Sequence, residues 1–159
     1  MLRICTVQRC LLASLMICPL ISWASDEPIA VVAYPGHTNE LKKEDLVRIF
    51  KRKKLFWQDG SRIRAVNLPV TNPLRLVFSH AVLGATPNEM AAYWNDQYFH
   101  GISPPFVLSS EQAVLRFVAD TPGAIGYVSL CNVHAKIDVL LWVSAGHVLY
   151  SAPDYACQK

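Results

Sequence analysis

The stretch "SEQAVLRFVADTPGAIGYV", residues 110–128, decides the fold. Its first half carries apolar residues at helical spacing, and Ser109 with Gln112 predicts a capping box at the start of that helix. Its second half opens with a Pro-Gly turn and continues as a short apolar run, which predicts a buried strand. A helix that turns directly into a buried strand is typical of an α/β domain.

The same alternation of strands and helices extends to both sides of this stretch. Further strands are predicted at 29–35, 63–68, 137–144 and 147–152, and further helices at 40–50, 72–84 and 86–99. Thr86 and Glu89 predict a capping box for the last of these helices. We expect one α/β domain over residues 25–159, with a central mixed sheet and helices on both of its faces.

Residues 1–24 have the layout of a secretory signal peptide. Arg3 and Arg9 form a positive n-region, an apolar run follows, and "SWA" ends the segment with small residues at Ser22 and Ala24. The apolar run is too short to span a bilayer. We therefore expect cleavage after Ala24, no stable membrane span, and a periplasmic or secreted protein.

The charge of the mature chain excludes one class of partner. The whole chain has 15 basic and 12 acidic residues, and removal of Arg3 and Arg9 leaves 13 basic residues against the same 12 acidic ones. A nearly neutral chain lacks the basic excess that is typical of nucleic-acid-binding domains. Nucleic acid is thus not an expected partner.

Two cysteines, Cys131 and Cys157, remain after the signal peptide is removed. An even pair in an oxidising compartment is expected to form a disulfide. Cys157 also lies close to the C-terminus, where a loose tail would leave the pair unbonded. The sequence alone does not decide between a disulfide and two free cysteines.

The segment "TNPLR" (71–75) places an arginine in the first turn of a helix, where the helix dipole disfavours positive charge. An oxyanion bound by Thr71, Asn72 and Arg75 would explain that arginine. Alternatively, Asn72 caps the helix with its own side chain, and Pro73 removes one N–H donor, so the helix start needs no anion.

Three quoted segments together resemble the phosphate-binding component of phosphate ABC transporters. They are "LKKEDLVRIFKRKKLFWQDG" (41–60), "LRLVF" (74–78) and "VLRFVADTPGAIGYV" (114–128). The similarity runs over about residues 29–130. It implies a single lobe of a type II periplasmic-binding-protein-like fold, with phosphate or another oxyanion as the ligand.

The resemblance is altered at the turn that grips phosphate in that family. The family's Asp-Gly-Ser-Gly-Thr falls on residues 70–74 here, and only Arg75 and Phe78 match beyond it. Two functions follow as hypotheses. One is weak oxyanion binding at residues 71–75, and the other is a module without a ligand that docks on an envelope transporter, sensor or secretion component.

Other candidate sites have simpler structural explanations. The run Lys51–Lys54 could attract anions, but is also typical of a solvated loop; Trp57 is expected to cover the edge of the core. Tyr93, Trp94 and Tyr98 are expected in the core or at its edge, with an exposed docking patch as the alternative. The five histidines lack metal-ligand spacing, and no catalytic or cofactor motif occurs, so neither an enzyme nor a cofactor is expected.

Overall fold

The computed structural model describes residues 27–36, 41–134 and 136–157, so the expected signal peptide lies outside the described residues. Strands and helices alternate along these ranges. The strands are β1 (Ile29–Ala33), β2 (Arg64–Asn67), β3 (Phe106–Val107), β4 (Ala124–Ser129), β5 (Asp138–Ser144) and β6 (His147–Leu149). The helices are α1 (Lys43–Phe50), α2 (Pro73–Phe78), α3 (Met90–Phe99) and α4 (Glu111–Asp120), with a π-helical turn at Ser79–Leu83 and a 3-10 turn at Leu130–Asn132.

The strands form one mixed sheet in the order β3-β2-β4-β1-β5-β6. β3, β2 and β4 run parallel to one another, whereas β1, β5 and β6 join through antiparallel pairs. The central strands β1 and β4 are buried along their whole length. The expected central mixed sheet is confirmed, and its two middle strands provide the floor on which the helices pack.

Helices cover both faces of this sheet. Successive residues of a strand point to opposite faces, and β4 shows the consequence clearly. On one face Gly126 lets α4 approach so closely that an added Cβ would lie 2.7 Å from Val114. On the other face the Tyr127 ring stacks on Phe78 at 3.9 Å and lies 6.0 Å from Phe50. Helix α4 therefore packs on one face, and α1 and α2 pack on the other.

The Pro-Gly turn before β4 needs its glycine for two reasons. Gly123 has a φ of +76°, and an added Cβ would lie 2.3 Å from the carbonyl oxygen of Arg62. Its own carbonyl accepts a hydrogen bond from the indole Nε1–H of Trp57 at 3.0 Å. Trp57 is buried, which confirms the expectation that it covers the edge of the core.

The capping box predicted before α3 is confirmed. The N–H of Thr86 donates to Glu89 Oε2 at 2.7 Å, and the N–H of Glu89 donates back to Thr86 Oγ1 at 3.2 Å. The helix itself begins just after this box, at Met90.

The cap of α4 lies one residue later than predicted. Ser110, not Ser109, accepts the backbone N–H of Ala113 on its Oγ at 3.2 Å, so the predicted box of Ser109 and Gln112 is wrong. The reason is that Glu111 already stands in the first turn and uses its carboxylate to accept the backbone N–H of the last residue of β4. That contact fixes where the helix starts relative to the sheet.

The aromatic face of α3 is less buried than predicted. Met90 in the first turn is the buried residue of this helix, so the last turn extends away from the core. Tyr93 is partly buried, and its hydroxyl donates to the carbonyl of Lys51 at 2.9 Å. Tyr98 is 72% exposed, and the expectation that it belongs to the core is wrong.

Cys131 and Cys157 are joined by a disulfide in the structure, with their Cα atoms 5.5 Å apart. Cys131 lies in the 3-10 turn after β4, and Cys157 lies in the segment that follows β6. The bond ties this C-terminal segment back to the end of a central strand.

Candidate functional site

The start of α2 is a closed helix cap. Asn72 accepts the backbone N–H of Leu74 on its side-chain Oδ1 at 2.9 Å, and its carbonyl accepts the N–H of Arg75 at 3.0 Å. Pro73 between them has no N–H to offer. The amides that a bound anion would use at a helix start are therefore already engaged or absent.

Arg75 is a buried cation without hydrogen-bond partners for two of its nitrogens. The residue is only 7% exposed, and within the described ranges neither its Nε nor its Nη1 has a partner. Buried arginines are ordinarily paired, because burying a charge without a partner is costly. Burial lowers the pKa of the guanidinium from its ordinary value, but an arginine remains charged at any physiological pH.

Ser79 lies four residues after Arg75, so the two side chains share one face of the same continuous helical segment. Ser79 is fully buried, and its Oγ also lacks a partner among the described residues. The buried face of this helix thus carries three polar atoms that are ready to donate hydrogen bonds. Groups of this kind require an explanation, such as a bound ligand.

A tyrosine from β4 lies beside this face. The Tyr127 ring stacks on Phe78, and its hydroxyl donates to Asn67 Oδ1 and accepts the N–H of Leu68, both at 3.3 Å. Burial raises the pKa of Tyr127 to about 12, although the charge of Arg75 opposes that shift. The tyrosine therefore stays neutral, and it does not neutralise the arginine.

The three predicted site residues have different environments. Thr71 is exposed, Asn72 is used as the helix cap, and Arg75 is buried. Sequence reasoning missed Ser79 and Tyr127. Ser79 could have been found from its spacing of four from Arg75, whereas nothing in the sequence pattern indicated that Tyr127 lies nearby.

An apolar rim lies next to the same helix. Val70, Leu76 and Val77 are exposed, and a cavity of about 420 Å³ is lined by Leu76, Val77, His80 and the β5–β6 turn. In the described part of the chain, no group of three or more His, Cys, Asp or Glu side chains is placed to hold a metal. None of the described helices has the length and hydropathy required to cross a membrane.

Comparison with protein-family models gives no match. Phosphate-binding protein PstS of Bacillus subtilis is 30% identical over 115 residues, which are 65% of this chain and 33% of that protein. An ABC-type phosphate transport receptor from Vibrio cholerae superposes with a TM-score of 0.56 at 17% identity, over 70% of this chain and 44% of the receptor.

A second solved structure has a similar fold. It is described as a putative phosphate ABC transporter substrate-binding protein with bound phosphate, from Clostridium perfringens. The TM-score is 0.58 at 17% identity, over 70% of this chain and 43% of that protein. This chain spans less than half the length of each of these three proteins. The chain is therefore similar in sequence to part of PstS, and similar in fold to part of two solved phosphate-transport receptors.

Proposed function

We propose that this chain is an exported oxyanion-binding protein, not an enzyme, and that Arg75 is the side chain that binds the anion. The observation that carries the proposal is the buried guanidinium with two nitrogens that lack partners. A phosphate or sulfate oxygen would satisfy these donors, and charge-assisted hydrogen bonds of this kind are among the strongest in proteins. The relatives, whose names describe phosphate binding and transport, support phosphate as the first ligand to test.

The affinity should be low. Pro73 has no N–H, and Asn72 occupies the amide of Leu74, so the helix start contributes little to binding. Each charge-assisted hydrogen bond that is missing costs about 1.5–3 kcal/mol. We therefore expect a dissociation constant no tighter than about 0.1 mM.

Titration calorimetry with phosphate and with sulfate tests this proposal. Binding should disappear in Arg75→Ala and persist in Arg116→Ala, which removes an exposed arginine from α4. Micromolar affinity would contradict the argument about the helix cap. Binding that survives in Arg75→Ala would place the anion elsewhere on the protein.

Export is part of the proposal, because residues 1–24 have the layout of a signal peptide. Mass spectrometry of the exported protein should give an N-terminus at Ser25. A chain that retains residues 1–24 after fractionation would contradict periplasmic or secreted localisation.

The exposed apolar rim favours a second function, in which this surface docks on an envelope transporter, sensor or secretion component. Val70 is exposed in the segment that precedes α2, and Leu76 and Val77 are exposed on α2 and line one cavity. Exposed apolar patches mark interaction sites. A photocrosslinker at Leu76 should then capture an envelope protein that a crosslinker at exposed Gln58 does not capture. Leu76→Asp should abolish that capture without changing phosphate affinity.

A further inference from the structure

A basic cavity, which we name the arginine pocket, lies beside the start of β2. It has a volume of about 390 Å³ and contains Arg52, Arg62 and Arg64, with Pro105, Phe106 and Phe117 among its apolar walls. The complete lining includes no acidic residue. A volume of this size is within the range of small-molecule sites.

The strand geometry explains why two of these arginines converge. Arg62 and Arg64 are two residues apart in extended chain, so they project from the same side, whereas Ile63 between them is buried. Their backbones are fixed at two points. Arg62 forms a bridge with Phe56, and the N–H of Arg64 donates to the carbonyl of Gly123 at 3.0 Å.

The third arginine comes from the turn that follows α1. Arg52 has a φ of +58°, in the left-handed region that favours glycine. Its Nε is buried and has no hydrogen-bond partner among the described residues. The turn that ends α1 explains this conformation, since the N–H of Arg52 donates to the carbonyl of Ile49 at 3.0 Å. The unsatisfied buried Nε is a separate feature, and an acceptor bound in the pocket would satisfy it.

The arginine pocket is separate from the site around Arg75. Arg64 is the first residue of β2, whereas α2 begins beyond the last residue of that strand. The strand alone, with a rise of about 3.3 Å per residue, separates the two ends by roughly 10 Å. None of the residues lining the arginine pocket belongs to α2 or to the turn before it.

We propose that the arginine pocket binds a small organic anion, with a carboxylate or phosphoryl head and an apolar body. Guanidinium groups match planar pairs of anionic oxygens and can bind them through two parallel hydrogen bonds. The proline and phenylalanine side chains would contact the apolar body, and Phe106, which is 79% exposed, lacks other cover for its ring. Inorganic phosphate lacks an apolar body and would leave these walls in water, so we expect no measurable binding of inorganic phosphate in this pocket.

Calorimetry with four probes tests this proposal: phenyl phosphate, benzoate, benzyl alcohol and inorganic phosphate. Phenyl phosphate or benzoate should bind, and the stronger of the two identifies the head group. Benzyl alcohol, which has the ring without the charge, should not bind. The Arg62→Gln/Arg64→Gln double variant should weaken binding of the anionic probe at least about tenfold, since each lost charge-assisted hydrogen bond is worth that much or more.

Two further variants identify the pocket. Phe106→Ala should weaken phenyl phosphate and leave the affinity for inorganic phosphate unchanged. Arg116→Gln, on α4 outside the arginine pocket, and Arg75→Met should leave the phenyl phosphate affinity unchanged. The substituted arginines 62 and 64 are exposed, and circular dichroism will check that the double variant remains folded.

Failure of both anionic aromatic probes to bind would overturn the proposal. So would equal affinity in the double variant, or loss of phenyl phosphate binding in Arg75→Met. The last result would assign the probe to the Arg75 site and would leave the proposed phosphate-binding function intact.

Discussion

Replacing Arg75 by methionine should stabilise the protein in phosphate-free buffer. Two guanidinium nitrogens are buried without partners, and each unsatisfied buried donor costs about 1–3 kcal/mol. Methionine keeps an unbranched apolar chain that can fill the space of the arginine stem. We therefore expect the free energy of unfolding to rise by about 2 kcal/mol or more in Arg75→Met.

Phosphate should reduce this difference, because it stabilises only the wild type. A ligand that binds only the folded state stabilises it by RT ln(1 + [L]/Kd). At a dissociation constant of about 0.1 mM, 10 mM phosphate adds about 2.7 kcal/mol to the wild type and nothing to Arg75→Met. Urea unfolding of both proteins, with and without phosphate at constant ionic strength, measures all four values.

Arg116→Met is the matched control, because it removes an exposed arginine and should behave as the wild type in both buffers. The reasoning is refuted if Arg75→Met loses more than about 1 kcal/mol without phosphate and the wild type gains nothing from phosphate. Arg75 would then be a structural arginine, and the docking function would be favoured over anion binding.

Three other predictions follow from the packing, the charges and the disulfide. Gly123→Ala should lower the free energy of unfolding by about 3 kcal/mol, because it adds a Cβ at positive φ and 2.3 Å from a carbonyl oxygen. Gly84→Ala is also at positive φ but in open space, so it should lower the free energy of unfolding by only about 1 kcal/mol. Urea unfolding of both variants measures the difference. Burial alone would raise the pKa of Asp45. The bond to Lys54 at 2.8 Å, the N–H of Lys42 and the charge of Arg48 lower it by more, so the pKa of Asp45 is lowered overall. Because the pKa of Asp45 is lower in the folded state, the stabilisation is complete above the unfolded pKa of about 3.9 and is lost as the pH falls through the folded pKa. Urea unfolding should therefore show Lys54→Met to be about 0.5–1 kcal/mol less stable than the wild type at pH 6, with a smaller difference at pH 2.5. Reduction of the Cys131–Cys157 disulfide, which closes a separation of 26 residues, should lower the free energy of unfolding by about 3 kcal/mol, and the Cys131→Ser/Cys157→Ser variant should show no response to reductant.

The fold could be predicted from sequence wherever a local pattern is compatible with only one conformation. The Pro-Gly turn before β4, the Thr86–Glu89 box and the apolar runs of the central strands each leave one conformation that satisfies their backbone groups. The short strand β3 was missed because its two residues are exposed and follow two prolines, so neither alternation nor burial marks it. The turn at Ser79–Leu83 was assigned to a regular helix because π-helical and α-helical hydrogen bonding have the same local sequence pattern.

The candidate site could be predicted only in part, because its main feature is that two buried nitrogens of Arg75 lack hydrogen-bond partners among the described residues. A sequence pattern does not show which side chains lack partners. The sequence showed that Asn72 can cap α2, and the structure has that bond. The bond removes the backbone amides from any anion site, which would ordinarily weaken the case for binding. Yet the same helix carries Arg75 into the domain, where nothing among the described residues pairs with two of its nitrogens. A closed cap explains the helix start but leaves the buried charge without a counterion, so an acceptor from outside the described chain is the simplest way to satisfy it.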